Sequence, residues 1–202
     1  MNILVISYWG DEMAVDRREL IIEAASKSFA LFGYKATTMD QIAKIANVGK
    51  GTIYTYFINK EELFQEIMNR LIQELKHVAE EALDPKLRFF ENLGRVLDRI
   101  LDFQEEHELA IKLSQEVKEI STQMAHEGIQ QIEKAIVGYI QQQVQYAVDK
   151  GEIKPCNPEI TAYVMLKLFI ALTSDWRNTH ERLDKKQVAE LLRFYLQEGL
   201  AP

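Results

Sequence analysis

Two glycines flank a lysine at the start of residues 48–57, which read VGKGTIYTYF. Such a pattern invites comparison with loops that cradle phosphates. A Walker loop, however, needs a glycine where this chain has Lys44 and a serine or threonine where it has Gly51. The dinucleotide fingerprint also fails, because Tyr54 stands where its third glycine belongs. The hydroxyls of the stretch suit hydrogen bonds to phosphate oxygens on a surface rather than in a nucleotide loop.

Other residues that could carry chemistry are scattered. No two histidines are spaced as metal ligands on a helix would be; they are His77, His107, His126 and His180. Cys156 follows a proline and has no assured base beside it, so we do not expect a nucleophile there. As the single cysteine it excludes an internal disulfide and suits a reducing cytoplasm. We therefore expect no enzyme, no metal and no cofactor.

Composition predicts an all-α protein. The 202 residues include only four prolines and nine glycines, and helix-forming residue types dominate. No run of about 18 apolar residues occurs, so we expect no contact with a membrane. Residues 1–13 are apolar at first, carry no helix signal, and are expected to form a flexible arm or an extension from an upstream start codon.

The charge is unevenly distributed. The net charge is −7, but residues 14–60 hold seven lysines or arginines against four acids. Residues 61–202 hold seventeen basic residues against twenty-five acidic ones. A basic head on an acidic body indicates an anionic partner for the head alone.

The head has the pattern of a helix-turn-helix. A first amphipathic helix is expected to bury Ile21, Ala24, Ala25, Ser28, Phe29 and Phe32 and to stop at Gly33. Thr38 and Gln41 have the spacing of a capping box before a short helix that buries Ile42, Ala43 and Ala46. Asn47 to Gly49 then breaks the chain, and a second short helix is expected from about Lys50 to Tyr56.

The second short helix should present a small, hydroxyl-rich face. Ile53 and Phe57 lie one turn apart and can anchor it to the core. The opposite face then carries Gly51 and Thr55 at its centre, with Thr52, Tyr54 and Tyr56 at its edges. Together with Lys50 at its start, this face suits insertion into the major groove of DNA. The alternative is that both tyrosines simply cover a helical core.

The head resembles the DNA-binding region of the TetR family of bacterial transcriptional regulators. The resemblance runs from about Arg17 to Phe64. The residues that carry it are Thr37, Thr38, Ile42, Ala43, Ala46, Val48, Thr52, Ile53, Tyr54, Tyr56, Phe57, Asn59, Lys60, Glu61, Leu63 and Phe64. Met39 departs from the pattern, because some family members have a polar or basic base reader at that place.

The resemblance implies an all-helical homodimer with a three-helix head, a linking fourth helix and a ligand pocket in the body. It implies phosphate contacts at Thr38, Thr52, Tyr56 and Lys60, and positions near bases for Lys50, Gly51, Tyr54 and Thr55. It further implies a repressor that binds double-stranded DNA until a small molecule binds. The two-fold symmetry of the expected dimer predicts an inverted-repeat operator.

Helical patterns continue through the body. Amphipathic segments are expected at residues 60–83, 89–105 and 122–150, with shorter helical material near 109–117. Residues 158–177 are apolar almost all round, apart from Lys167, and residues 185–198 carry the last apolar stripe, in which Leu192 is expected on an exposed face. A helix apolar on every side needs covering on every side, so these last two helices are expected to form a homodimer interface. Burial in one large monomeric core is the alternative.

Six large side chains of the body are candidates to line a cavity for a largely apolar effector. They are Phe90, Leu97, Leu113, Tyr139, Met165 and Phe169. The sequence thus predicts an arm at 1–13, a DNA-binding domain at 14–60 and a ligand-binding and dimerisation domain at 61–202. It favours a ligand-responsive dimeric repressor in the cytoplasm. The alternative is a helical dimer for protein interaction whose head has no specific DNA binding.

Overall fold

The computed structural model describes residues 16–106 and 122–200, with side chains described to residue 103 in the first range and to residue 197 in the second. Within these ranges all regular secondary structure is helical, which confirms the all-α prediction. The helices are α1 (Arg17–Ala36), α2 (Met39–Ile45), α3 (Lys50–Tyr56), α4 (Lys60–Ala82), α5 (Phe89–Glu106), α6 (Gln123–Asp149), α7 (Pro158–Ile170) and α8 (Lys185–Leu200). The predictions for residues 1–13 and 109–117 fall outside the described residues.

The predicted start of α2 is confirmed by its cap, whereas α1 extends to Ala36 and does not stop at Gly33 as predicted. The Asp16 carboxylate accepts a hydrogen bond from the backbone N–H of Arg18, which starts α1. The Thr38 hydroxyl accepts from the N–H of Gln41, whose side chain accepts from the N–H of Thr38, so the capping box is present. Asn47 follows α2 with a φ of 52°, which turns the chain towards α3.

The aromatic core of the head differs from the prediction at one residue. Phe32 was expected to be buried but is 54% exposed. Gly33 adopts a φ of 80° and redirects the chain, and Tyr34 then packs into the core. The Tyr34 ring lies 5.7 Å from that of Phe29 and 5.0 Å from that of Phe64 on α4. Tyr34 therefore occupies the space that the sequence assigned to Phe32.

The first hydrophobic cluster crosses from the head into the body. It contains the buried face of α1, the anchors of α2 and α3, and the N-terminal half of α4 from Leu63 to Ile72. It also contains Ala125 and Ile132 of α6. The predicted domain boundary at residue 60 therefore falls within one continuous cluster, at the first residue of α4.

The second cluster joins α5, α6, α7 and α8 around Val144, Met165 and Leu192. The predicted end of one helix in this region is wrong, because α7 ends at Ile170 and not near Arg177. A π-helical turn (Ala171–Asp175) and a 3-10 turn (Trp176–Asn178) follow it. The Thr173 hydroxyl donates to the Phe169 carbonyl at 2.8 Å, a local bond that competes with regular helical geometry.

Helix α6 lies close against α4 at Gly128. A Cβ added at Gly128 would lie 3.0 Å from the Phe64 ring and 3.3 Å from the sulfur of Met68. Phe64 is fully buried, and its ring is already packed edge-on against Phe29 at 5.5 Å. Since the ring has no space into which to move, a side chain at residue 128 must push the two helices apart.

We expect Gly128→Ala to destabilise the protein relative to Gly138→Ala, a matched change on the same helix. A Cβ at Gly138 meets nothing within 4 Å, so that variant should gain the ordinary helix propensity of alanine. Overpacking at Gly128 should make the difference in free energy of unfolding between the two variants about 2 kcal/mol. Urea denaturation of both variants measures it, and equal stabilities would contradict the close contact.

Candidate nucleic-acid interface and ligand cavity

The short helix α3 presents one face to the core and the other to solvent. Ile53 is fully buried and Phe57, just after the helix, is nearly so. Gly51 and Thr55 are exposed on the opposite side, where Tyr54 and Tyr56 are 46% and 40% exposed. Thr52 is half-buried at the edge. The orientation of α3 predicted from the helical wheel is thus the one observed.

The centre of the outward face of α3 is open. A Cβ added at Gly51 would meet nothing within 4 Å, so the absence of a side chain is not required by packing inside the chain. The Thr55 hydroxyl donates to the Gly51 carbonyl at 3.1 Å and is held against the helix. The backbone at Gly51 can therefore approach another surface closely, with hydroxyl groups on either side.

Lys50 begins α3 and forms an ion pair with Asp40 of α2. Its ammonium lies 2.9 Å from the carboxylate, and both side chains are mostly exposed. The hydrogen bond to Asp40 raises the pKa of Lys50, and the negative charge of Asp40 adds to the rise. Exposed pairs of this kind contribute little to stability, so Lys50 can exchange Asp40 for another anion at small cost. Sequence analysis did not identify Asp40 as the partner of Lys50, although the charge of Asp40 and its place in the first turn of α2 can be read from the sequence.

The N-terminus of α2 contributes Thr38 and Met39. Thr38 is exposed, and its hydroxyl is engaged with Gln41 in the capping box. Met39 is buried in the head cluster, and so it packs the core at a place where some relatives have a base reader. The outward side of α2 instead exposes Asp40, Gln41 and Lys44.

Lys60 was predicted to contact phosphate, and here its ammonium has partners within the head. It donates to the carbonyls of Tyr34 and Thr37 at 2.8 and 2.9 Å and lies 4.1 Å from the centre of the Tyr34 ring. These carbonyls lie at the end of α1, where a helix lacks its own donors. Lys60, the first residue of α4, therefore caps α1. Sequence analysis did not predict this role, because Lys60 lies 26 residues from Tyr34 in the chain.

Two further contacts fasten α1 to α4. The Tyr34 hydroxyl donates to Glu61 at 2.7 Å, and this bond holds the pKa of Glu61 below its ordinary value. At the other end of α1, Arg18 and Arg70 both contact Glu66, each at 3.1 Å. Because both ends of α1 are fastened, the head and the first half of α4 form one packed unit.

The body contains a cavity of about 540 Å³ between α4, α5, α6 and α7. Leu97, Tyr139, Met165 and Phe169, all predicted, are among its lining residues. Phe90 does not line it, which corrects the prediction; the neighbouring Phe89 does, and the two rings pack edge-on at 5.3 Å. Leu113 lies outside the described residues.

The sequence analysis missed the wall that α4 contributes to the cavity. Its members recur at helical spacing and are Ile72, Leu75, Lys76, Ala79, Glu80 and Leu83. The i, i+3, i+4 pattern was a signal that could have found them. Since the N-terminal half of α4 is buried in the head cluster, the same helix touches both the head and the cavity.

The Tyr139 hydroxyl is a polar group in an apolar wall. Its oxygen is buried and has no hydrogen-bond partner among the described residues. Burial raises the pKa of Tyr139, and the negative charge of Glu80, which also lines the cavity, adds to the rise. The phenol is thus held in its protonated form with its O–H uncommitted.

A separate apolar surface lies on the outer sides of α7 and α8. Ile160, Tyr163 and Val164 of α7 and Phe194 and Tyr195 of α8 are all more than half exposed. We call these five residues the outer apolar surface.

Leu192 does not belong to the outer apolar surface. It was expected on the exposed side of α8 but is 1% exposed, in the second cluster. The stripe of α8 that sequence analysis assigned to a partner thus packs inside the chain, and the neighbouring aromatic residues face outward.

No group of three potential metal ligands lies together within residues 16–106 and 122–200. None of the helices described is both long and apolar enough to cross a membrane. His107 lies outside the described residues, and each of the other histidines contacts a neighbour: Glu81, Gln130 and Trp176, respectively.

Comparisons with known proteins agree on one family. Residues 21–67 match the family model described as bacterial regulatory proteins, tetR family. The chain is 54% identical over 189 residues to the uncharacterized HTH-type transcriptional regulator YhgD of Bacillus subtilis, covering 94% of this chain and 99% of that protein. It is 32% identical to a fatty acid metabolism regulator protein of the same organism, covering 66% of this chain and 69% of that one.

Solved structures share the fold. SmeT, the repressor of the Stenotrophomonas maltophilia multidrug efflux pump SmeDEF, has a TM-score of 0.70 at 20% identity, covering 92% of this chain and 90% of that one. A complex of SmeT with triclosan has a TM-score of 0.73 at 19% identity, covering 92% of each chain.

We expect Lys60→Met to lower the free energy of unfolding by about 1–2 kcal/mol. The variant keeps the apolar stem but leaves two carbonyls of the α1 terminus without their charged donor. Lys44→Met, an equivalent change on the exposed side of α2, should have little effect. Thermal unfolding compares the two variants, and equal stability would contradict the capping role of Lys60.

For Tyr139→Phe we expect a free energy of unfolding equal to that of the parent or higher by up to about 1 kcal/mol. The change removes a buried hydroxyl that has no partner among the described residues. Tyr34→Phe removes a hydroxyl bonded to Glu61 and should cost about 1–2 kcal/mol. Chemical denaturation distinguishes them; a similar loss in both would mean that Tyr139 does have a hydrogen-bond partner.

Proposed function

The chain belongs to the tetR family of bacterial regulatory proteins, and on that basis we propose that it is a dimeric repressor released from its operator by a small, largely apolar ligand. Members of this family are transcriptional regulators with a helix-turn-helix, and they are not enzymes. A repressor of this kind acts in the cytoplasm, at an inverted repeat in double-stranded DNA.

The observation that carries the proposal is the outward face of α3. Its glycine centre is open and its hydroxyls are exposed, while Ile53 holds the helix to the core. A B-form major groove admits a helix of this size, and base edges there can be read by side chains at its start. We assign Lys50, Gly51, Tyr54 and Thr55 to the bases.

The phosphate contacts are assigned to the edges of the same face. Thr38, Thr52 and Tyr56 surround α3 with hydroxyl groups. Lys60 remains a candidate, but its ammonium must then serve a phosphate in addition to the carbonyls that it already caps. Such contacts position a protein on DNA and carry no direct sequence information.

The outer apolar surface supports a homodimer. A second copy placed on it by a two-fold axis would bury aromatic and aliphatic side chains of α7 and α8 from both subunits. Lys167, which interrupts the apolar sequence of α7, donates to both carboxylate oxygens of Glu133 at 2.7 and 2.8 Å. Its charge is therefore already balanced within the chain.

The cavity supports the proposed ligand response. Its volume lies within the range of sites for small molecules, and its walls are mainly apolar. One relative is named as a fatty acid metabolism regulator, and one similar structure is a complex with triclosan. Because α4 reaches from the head to this cavity, a ligand that shifts α4 would change the position of the recognition helix.

Binding-site selection from random duplexes tests the DNA contacts. We expect Lys50→Ala to change base preference, with a loss of about 1–3 kcal/mol at one base pair if Lys50 reads guanine. Tyr56→Phe should weaken all sequences similarly. Lys27→Ala removes the same charge from the exposed side of α1 and should preserve the preference. If Lys50→Ala also preserves it, Lys50 is a phosphate contact and not a base reader.

Sedimentation at micromolar concentration tests the dimer. Val164→Glu and Phe194→Glu place a charge on the outer apolar surface and should each yield a folded monomer that binds operator poorly. Leu31→Glu makes the same kind of change at an exposed apolar residue of α1 and should stay dimeric. A parent protein that sediments as a monomer would contradict the assignment.

A further inference from the structure

We propose that Asp40 is a positioning residue for Lys50, whose ammonium it directs to the neutral acceptors of a base edge and away from phosphate. Asp40 thereby raises the ratio of specific to non-specific DNA binding. This inference rests on the proposed function, because it concerns how the same recognition surface distinguishes one DNA sequence from another. It starts from the carboxylate that the fold places beside the lysine of the recognition helix.

The ion pair joins two helices whose relative position is fixed. Lys50 is the first residue of α3, which Ile53 anchors to the core, and Asp40 lies in the first turn of α2. In the turn between the helices, the backbone N–H of Val48 donates to the Ala43 carbonyl at 2.9 Å. Because both helices pack in the head cluster, the carboxylate stays near the ammonium when α3 contacts DNA.

A phosphate bonded to Lys50 would face the carboxylate of Asp40. The ammonium lies 2.9 Å from that carboxylate. A phosphate oxygen would bond the ammonium at a similar distance, so the two anions would lie within about 6 Å of each other. This separation is shorter than the Debye length of about 8 Å at physiological ionic strength, so salt screens their repulsion only in part. Since non-specific binding depends on phosphate contacts, the pair lowers the contribution of Lys50 to it.

A base edge carries no such charge. Guanine presents two neutral acceptors in the major groove, O6 and N7. A lysine ammonium has three donors, so Lys50 can keep its hydrogen bond to Asp40 and still donate to guanine. The carboxylate therefore disfavours phosphate more than it disfavours guanine. A specific binder gains from such a repulsive element against the wrong contact.

The alternative is that Asp40 acts only by lowering the total positive charge of the head. Glu23 separates the two possibilities, because it carries the same charge and is exposed on α1, away from the turn between α2 and α3. Asp40→Asn and Glu23→Gln are thus matched variants. Each removes one negative charge from an exposed residue of the head and keeps the size of the side chain.

Fluorescence anisotropy on the full chain tests the inference with two duplexes, one recovered by binding-site selection and one with the same bases scrambled. We expect Asp40→Asn to bind the scrambled duplex roughly three- to tenfold more tightly, because the repulsion of phosphate is removed. Binding of the selected duplex should tighten less, so the ratio of the two affinities falls. Glu23→Gln should change both affinities by the same factor and preserve the ratio.

Two further measurements assign the effect to Lys50. In Asp40→Asn the salt dependence of binding to the scrambled duplex should become steeper by about one phosphate contact, since Lys50 then serves a phosphate. Lys50→Met removes the ammonium through which Asp40 acts. In that background Asp40→Asn should change both affinities by the same factor, so that their ratio no longer depends on Asp40.

Three results would overturn the inference. Equal changes for both duplexes in Asp40→Asn, as in Glu23→Gln, would show an effect of total charge alone and leave the proposed function standing. Weaker binding of the selected duplex, with no gain for the scrambled one, would show that Asp40 supports a base contact without disfavouring phosphate. A parent protein that binds both duplexes equally would contradict sequence-specific DNA binding, and the inference with it.

Discussion

The organisation of this protein depends on the burial of α4 in two places at once. Its first half, from Leu63 to Ile72, is part of the head cluster, and residues 72–83 form a wall of the cavity. At about 1.5 Å per residue, the 23 residues of α4 extend roughly 34 Å, which is enough to reach both sites in one rigid element. The proposed coupling between the cavity and the DNA-binding face would therefore run along a single helix.

The head can follow α4 only because it is fastened to it. Lys60 caps the end of α1, Tyr34 and Phe64 pack their rings edge-on, and the contacts of Glu66 hold the other end of α1. Helix α6 packs against the first half of α4 at Gly128, which lies next to Phe64. The close contact between α6 and α4 at Gly128 thus limits how the body can move against the head. An allosteric switch needs two alternative packing arrangements, and both must accommodate this contact.

Local features of the sequence predicted the head well. The capping box at Thr38, the turn at Asn47 and the two faces of α3 depend on residues within one or two turns of each other. What the sequence missed depends on distant partners. The roles of Lys60 and Tyr34, the burial of Leu192 and the choice of Phe89 over Phe90 at the cavity are decided by which helix lies opposite, and periodicity within one helix carries no such information.

The central claim is that the cavity and the DNA-binding face are coupled through α4. Titrating a small, largely apolar probe such as 4-hydroxybiphenyl by calorimetry into the protein alone, and into the protein saturated with a duplex recovered by binding-site selection, tests it most directly. Coupling must be reciprocal, so the account predicts that DNA weakens binding of the probe by about 5- to 150-fold, and that the probe weakens DNA binding by the same factor. Equal affinity for the probe with and without DNA would contradict the account.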